Sequence, residues 1–264
     1  TVVEDIVDRL GAVTRTFALA ADVATPTPAL AARLAASGQV GAVFRFDRLV
    51  ESAVTAVADP ELLPVRDGSL DLVVSALALQ SENDLPGILA QARRALKPDG
   101  LLIAALLGGE TLLELRQSLA AAEAEITGGA SPRIAPFTEV RAAGALLQRA
   151  GFALPVTDID RRIVRYASAL HLMRDLRAMG ATNALRERSR KPLTRSVIVR
   201  ATEIYAERFS DPDGRVRATF DTIYLSGWAP AESQPKALRP GSAKVRLADA
   251  LNAVERSAGE KTGR

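Results

Sequence analysis

The 264-residue sequence has no cysteine and a single histidine, His171. Without cysteine there is no disulfide framework, no thiol nucleophile and no thiolate-ligated metal. One imidazole leaves little room for a zinc site or a histidine-based triad, so no metal is expected. No apolar run approaches the roughly 20 residues that a spanning helix needs, and no internal repeat is present. Charge is nearly balanced: 34 basic and 31 acidic residues leave a net charge of +3 and a pI near 9.5. That excess leans weakly towards an acidic partner, and the dense basic stripe of a nucleic-acid binder is missing. A soluble intracellular protein is the default expectation. Hydrophobic residues make up 48% of the chain, enough for a real core and for one α/β domain with an insertion over 1–264.

The clearest organisation lies in Asp67–Leu107. An Asp-Gly turn is followed by the apolar run Leu70–Leu77, which reads as a strand buried on both faces. Asn83 or Asp84 can cap the next helix, with Pro86 in its first turn and Ile88, Leu89, Ala92 and Leu96 at helical spacing. Lys97-Pro98-Asp99-Gly100 stops that helix, and Leu101–Leu107 is a second buried strand. Strand, helix and strand with short connections make a right-handed βαβ unit, whose ligands sit at the carboxyl ends of its strands.

Upstream, the pattern predicts a helix over residues 2–10, a strand over Phe17–Ala21 ending at Asp22, and a helix started by Thr27-Pro28 and stopped at Gly38. A strand over Val40–Phe46 ends at Asp47, and a weak helix runs through Leu49–Ala56. Downstream, helices are predicted over 110–126 and, capped by Thr138, to Ala150, followed by a strand over Phe152–Ile159. Helices over 168–179 and 193–209 flank the basic loop Arg186–Pro192, and Val216–Leu225 alternates as a last strand. From Pro230 the chain turns polar, with a further helix expected over 243–256. The cofactor half is about 1–107, the substrate and insert half about 108–230, and the tail about 231–264.

Asp22 and Asp47 close successive strands 25 residues apart, a spacing that suits a nucleotide-binding carboxylate able to accept both hydroxyls of a ribose. No glycine lies between Asp22 and Gly38, and Ala24 and Pro26 stand where a nucleotide site has a glycine-rich turn, so an ordinary βα turn is the alternative. Asp59, followed by Leu62-Leu63-Pro64, suggests a loop carboxylate that meets an exocyclic amine; turn chemistry at Asp59-Pro60 is the other reading.

The order Asp22 … Asp47 … Asp59-x-x-x-x-Pro64 … Asp67-Gly-Ser-Leu-Asp71-Leu-Val-Val-Ser75 … Leu96-Lys-Pro-Asp-Gly100 resembles a class I S-adenosylmethionine-dependent methyltransferase. Leu107–Arg116, Ser131–Phe137, Leu172–Asn183, Tyr205–Phe209 and Pro240–Ser242 are similar to the branch containing the mitochondrial complex I assembly factor five, and more distantly to the biotin-synthesis malonyl-carrier-protein O-methyltransferase. This resemblance implies a Rossmann-like seven-stranded sheet with its last strand antiparallel and a helical insertion before it. It implies S-adenosylmethionine as cofactor and S-adenosylhomocysteine as product. Asp22 and Ala24 would then belong to the cofactor loop, Asp47 would meet the ribose, Asp59 the adenine amine, and Ser75 would line the central strand. Relatives often carry His-Trp where this chain has Gln80-Ser81.

The partner it implies is a protein or acyl-carrier-type substrate, with a respiratory complex I subunit as one candidate and arginine hydroxylation as an alternative to methylation. A scaffold that keeps the fold without the cofactor is the rival. Methyl transfer needs chiefly alignment, so no catalytic base is called for or assigned. Tyr166, Arg174, Arg177, Asn183 and Tyr205 are candidates for a substrate mouth, with helix packing as the alternative. His171 is expected as a partly buried helix residue, Trp228 as packing, and the Arg186–Lys191 cluster as a solvated loop or a dock for an acidic protein.

Overall fold

The computed structural model describes residues 1–50 and 53–235, together with Asp249 and Val254. Thr1–Ala231 forms one compact unit; Glu232–Arg264 forms a second, and the helix expected over 243–256 falls almost wholly outside the described residues. In the first unit the strands are β1 (Phe17–Val23), β2 (Val40–Asp47), β3 (Ala56–Val57), β4 (Leu70–Ala76), β5 (Leu96–Gly108), β6 (Ala153–Tyr166) and β7 (Val216–Trp228). They make one sheet in the order β3-β2-β1-β4-β5-β7-β6. β1 to β5 pair in parallel, and β7 runs antiparallel to both β5 and β6. The Rossmann-like seven-stranded arrangement with an antiparallel last strand is therefore the observed one.

Every residue of β4 is buried, as its largely apolar run requires of a central strand. Asp71 and Ser75 are the polar exceptions there: Asp71 takes the Lys97 ammonium at 2.9 Å and the Leu19 N–H at 3.0 Å, so it braces β1 against β5. On one face the sheet packs α3 (Leu85–Ala95) and α5 (Val140–Arg149); on the other it packs α1 (Val2–Gly11) and α2 (Ala29–Ala36). Asp84 caps α3 by accepting the Gly87 N–H at 2.8 Å, with Pro86 in the first turn. A third cluster joins α4 (Leu113–Thr127), α6 (Ala169–Ala178) and α7 (Arg195–Phe209) with the first half of β7. This is the helical insertion.

Several boundaries differ from the sequence reading. The described residues of the stretch expected as a helix over Leu49–Ala56 are not helical: the Thr55 N–H donates to the Arg45 carbonyl, and Ala56–Val57 pair with β2, because a sheet edge was available. The cap of α5 is Glu139 and not Thr138, whose carbonyl instead receives the Gly109 N–H at 3.0 Å. β6 and β7 are longer than expected, 14 and 13 residues, since each extends along the other. Trp228 is accordingly the last residue of β7, packed on the α1/α2 face.

Asp221 ties β7 to β6 and to the segment that follows β5. Fully buried on β7, it receives both prongs of the Arg161 guanidinium, at 2.7 and 2.9 Å, and the Glu110 N–H at 2.9 Å. Burial alone would raise this carboxyl, but the Arg161 fork and the Glu110 N–H outweigh it and hold it below its ordinary value. A depressed acid stabilises the fold above its unfolded pKa and loses that contribution as pH falls through the folded value. Asp221→Asn should therefore cost about 2 kcal/mol at pH 7, read as a lower urea midpoint at unchanged slope. The deficit should shrink below about pH 4; a deficit of the same size at pH 3 would contradict the assignment.

Candidate functional site

Because β1, β2, β3 and β4 are parallel, their carboxyl ends share one edge. Asp22 lies one residue before the end of β1, Asp47 ends β2, Asp59 lies two residues past β3, and Ser75 lies one residue before the end of β4. Asp22 sits in register with Arg45 on one side and Val74 on the other, and Asp47 with Val57. The four polar candidates of the cofactor half are thus gathered at the place where ligands of such sheets bind.

They are not equally available. Asp22 is buried, with Thr25 donating to one carboxylate oxygen and the Arg45 Nε 3.5 Å from the other. Arg45 is itself buried, and its Nη2 donates to the Thr25 carbonyl at 2.8 Å. The Thr25 hydroxyl also receives the Ala76 N–H at 3.1 Å, while the Ser75 hydroxyl donates to the Val23 carbonyl at 2.7 Å. One network therefore staples the β1–α2 turn to β2 and β4. Its desolvation is severe: burial pushes the Asp22 carboxyl up to about 6 against the opposing pull of Thr25 and Arg45. Among the described residues, Asp22 Oδ2 and Arg45 Nη1 have no hydrogen bond.

The turn is also strained. Ala24 has φ +56° and Leu77, at the end of β4, has φ +55°, a region costing roughly 1–2 kcal/mol for a residue with a Cβ. Ala24 is held there by its N–H on the Phe46 carbonyl at 2.7 Å, and Gln80 braces the Leu77 carbonyl at 2.6 Å. Pro26 is exposed and does not fill the site; the buried side chains beneath the turn are those of Thr25 and Arg45.

Asp47 and Asp59 are in a different state. Asp47 Oδ1 accepts the Leu49 N–H at 3.0 Å, and its second oxygen has no hydrogen bond among the described residues. Asp59 is half exposed and receives Arg48 Nη2 at 2.7 Å, with the Glu61 N–H at 2.9 Å. Arg48 also reaches the buried carboxylate of Glu82 at 2.7 Å, so it spans the gap between the β3 loop and the segment after β4. Arg48 first, then the Glu61 N–H, holds the Asp59 carboxyl below its ordinary value. Solvent screens an exposed pair of this kind, so it contributes little. Arg48 can release Asp59 cheaply, whereas removing one partner of a buried pair such as Asp22–Arg45 costs about 3–5 kcal/mol.

In the helical half, Tyr205 is fully buried and its hydroxyl donates to the Arg217 carbonyl at 2.8 Å; burial raises its pKa. Asn183 donates to the Pro132 carbonyl at 2.9 Å, tying the α6–α7 loop to the connector after α4. Tyr166 is half-buried and engages Asp175, while Arg174 and Arg177 are exposed on α6. His171 is exposed, its Nδ1 2.9 Å from the Ser168 hydroxyl, because it lies on the outer side of α6 rather than on the buried Leu172–Leu176 stripe.

Sequence reasoning missed Thr25, Arg45, Arg48 and Glu82. Arg45 alone carried a signal, as the one charged residue inside the apolar run Val40–Phe46. For an adenosyl cofactor the arrangement fits at the nucleoside end, where Asp47 has an acceptor free among the described residues and Asp59 is held only by exposed contacts. At the amino-acid end the loop offers no glycine and no spare carboxylate, since Asp22 is already engaged with Thr25 and Arg45.

A family profile described as "Methyltransferase domain" matches residues 19–104. "Arginine-hydroxylase NDUFAF5, mitochondrial" of Danio rerio is 42% identical over 254 residues, covering 92% of this chain and 78% of that protein. The Homo sapiens protein of the same name is 40% identical, covering 92% and 73%. A malonyl-[acyl-carrier protein] O-methyltransferase of Xylella fastidiosa is 42% identical over 177 residues, covering 67% of this chain and 57% of that protein. Among solved structures, a putative methyltransferase from Bacillus halodurans shares the fold at a TM-score of 0.55 with 18% identity, covering 87% of this chain and 99% of that one. S-adenosylmethionine, with S-adenosylhomocysteine as its spent form, is the cofactor of the matched domain. No helix among the described residues is long and apolar enough to cross a membrane. By its extent of identity and its fold, the chain belongs to the NDUFAF5 family of methyltransferase-like proteins.

Proposed function

We propose that this chain is a methyltransferase that binds S-adenosylmethionine by its adenosine end and acts on a protein-borne acceptor, either a polypeptide side chain or a carrier-linked acid. The observation that carries this reading is the gathering of Asp47 and Asp59 at one sheet edge, with an oxygen of Asp47 free among the described residues. Asp47 would hold the ribose hydroxyls and Asp59 the adenine amine once Arg48 lets go of it. Bound there, the cofactor supplies an electrophilic methyl on its sulfonium. The protein contributes alignment, which suffices for an in-line displacement at carbon. The same edge carries the helical insertion, so the acceptor would approach from that side.

A second reading is favoured by one observation, the engagement of Asp22 with Arg45 and Thr25. In it the chain serves respiratory complex I assembly, as a hydroxylase-type factor or as a scaffold without methyl transfer, in keeping with the NDUFAF5 relatives that cover most of its length. The matching compartment is the mitochondrial matrix, or the cytoplasm if the chain is bacterial.

Titration calorimetry with S-adenosylhomocysteine separates the two. Saturable micromolar binding that weakens about 10- to 100-fold in Asp47→Ala, the worth of hydrogen bonds to a charged acceptor, is the expected result. Silence at millimolar ligand supports the scaffold. Arg48→Ala should tighten binding a few-fold, because Asp59 is then free from the start; weaker binding would show that Arg48 holds ligand and does not compete with it.

The network at Asp22 makes its own forecast. An acid whose folded pKa lies above its unfolded value destabilises the fold progressively as pH rises between the two. Relative to Asp22→Asn, the wild-type chain should lose stability from about pH 4 to pH 6, by about 3 kcal/mol if the whole shift is expressed. Parallel stability–pH curves for the two proteins would exclude a raised Asp22. Ala24→Gly should stabilise by about 1 kcal/mol through relief of the positive φ, and a loss of thermal stability would contradict the strain.

A further inference from the structure

The arginines of β6 and β7 are paired, as are Arg9 on α1 and Arg200 on α7: Arg9, Arg161, Arg162, Arg165, Arg200 and Arg217 each have a carboxylate within 4 Å. The stretch from Arg174 to Arg195 is different. Arg174 and Arg177 on α6, then Arg186, Arg188, Arg190 and Lys191 in the following loop, and Arg195 opening α7 are all exposed. None of them has an ion pair among the described residues. Only Asp175 and Glu187 oppose them in sequence, and Asp175 is engaged with the Tyr166 hydroxyl. The stretch therefore carries a formal +5, more than the +3 of the whole chain.

Topology sets where this charge sits. Since β7 is antiparallel to β5 and β6, β6 runs in the direction of β1 to β5. The segment between β6 and β7 thus leaves and re-enters the sheet at the carboxyl edge, the edge that holds Asp22, Asp47 and Ser75. Asn183 anchors the loop there through the Pro132 carbonyl. The surface is poor in anything but charge. Residues 167–197 contain no Phe, Tyr or Trp, so they offer no platform on which bases stack. The apolar side of α6, Leu172 and Leu176, is buried against α4 and α7, and so is not free to enter a lipid surface.

We propose that the α6–α7 basic segment is a docking surface for an acidic stretch of the partner polypeptide, which it holds beside the carboxyl edge. This rests on the reading that the acceptor is borne by a protein. Seven cations without an ion pair among the described residues supply long-range attraction and orientation more than tight contact, so the interaction is salt-sensitive.

The test uses the full chain and a fluorescein-labelled 20-residue polyglutamate peptide, followed by anisotropy at low and physiological salt. The expected result is binding that weakens steeply with salt. It should fall at least about tenfold when Arg186, Arg188, Arg190 and Lys191 are all changed to Glu. A control changing Arg66, Arg94, Arg141 and Arg149 to Glu, also exposed and without ion pairs among the described residues, should lose less than about twofold. Equal losses in the two variants would overturn the proposal, as would tighter binding to anionic phospholipid vesicles or to a single-stranded RNA of matched charge. S-adenosylhomocysteine affinity, measured in parallel, should be unchanged in the loop variant. Absence of that affinity in the wild type would remove the enzymatic reading while leaving the docking result to stand or fall on the peptide.

Discussion

The buried pairing of Asp22 with Arg45, closed by Thr25, is the constraint on which this structure turns. Three strand ends meet there: Asp22 from β1, Arg45 from β2, and Ala76 of β4 through the Thr25 hydroxyl. Placing two opposite charges out of water is expensive, and Coulomb attraction in the interior recovers that cost only with good geometry and full hydrogen bonding. Here one oxygen and one guanidinium nitrogen have no hydrogen bond among the described residues, and burial raises the Asp22 carboxyl. The network therefore adds specificity of loop position more than net stability. It also withdraws from solvent the carboxylate that opens the cofactor loop in the family resemblance.

A division of labour follows along the sheet edge. The turn after β1 is rigid, strained at Ala24 and supplied with prolines, so it cannot offer a run of backbone N–H groups to a ligand. The ends of β2 and β3 are looser and more solvated, with Asp47 only singly bonded and Asp59 covered by an exposed arginine. Any adenosyl ligand is then gripped mainly by its nucleoside. Across the same edge lies the insertion, whose helices are packed around Tyr205 and Leu172 while the cations of their connecting loop have no ion pair among the described residues.

Much of this fold was legible in the sequence. Leu70–Leu77 and Leu101–Leu107 announced a central parallel pair because strands buried on both faces admit almost no polar residues, and Asp84-Leu-Pro marked a capped helix. Leu49–Ala56 misled because its weak helical spacing was local, while the free edge of β2 was a tertiary fact. The site was legible in position only. Asp22, Asp47, Asp59 and Ser75 do share an edge, but that Ser75 would bond the Val23 carbonyl, and that Arg45 would fold inward onto Asp22, depends on side-chain paths that spacing does not encode. Tyr205 illustrates the same limit: on a helical wheel it suits a substrate mouth or a core equally, and its bond to the Arg217 carbonyl places it in the core.

The claim that the nucleoside carries the ligand's affinity is tested most directly by comparing S-adenosylhomocysteine with 5′-methylthioadenosine, which lacks the amino-acid end, in one calorimetric series. With Asp22 engaged by Arg45, the truncated ligand should bind within about tenfold of the complete one, a difference of about 1.4 kcal/mol. A loss of a hundredfold or more on truncation would mean that the turn after β1 opens to hold the amino-acid group, and would contradict the account.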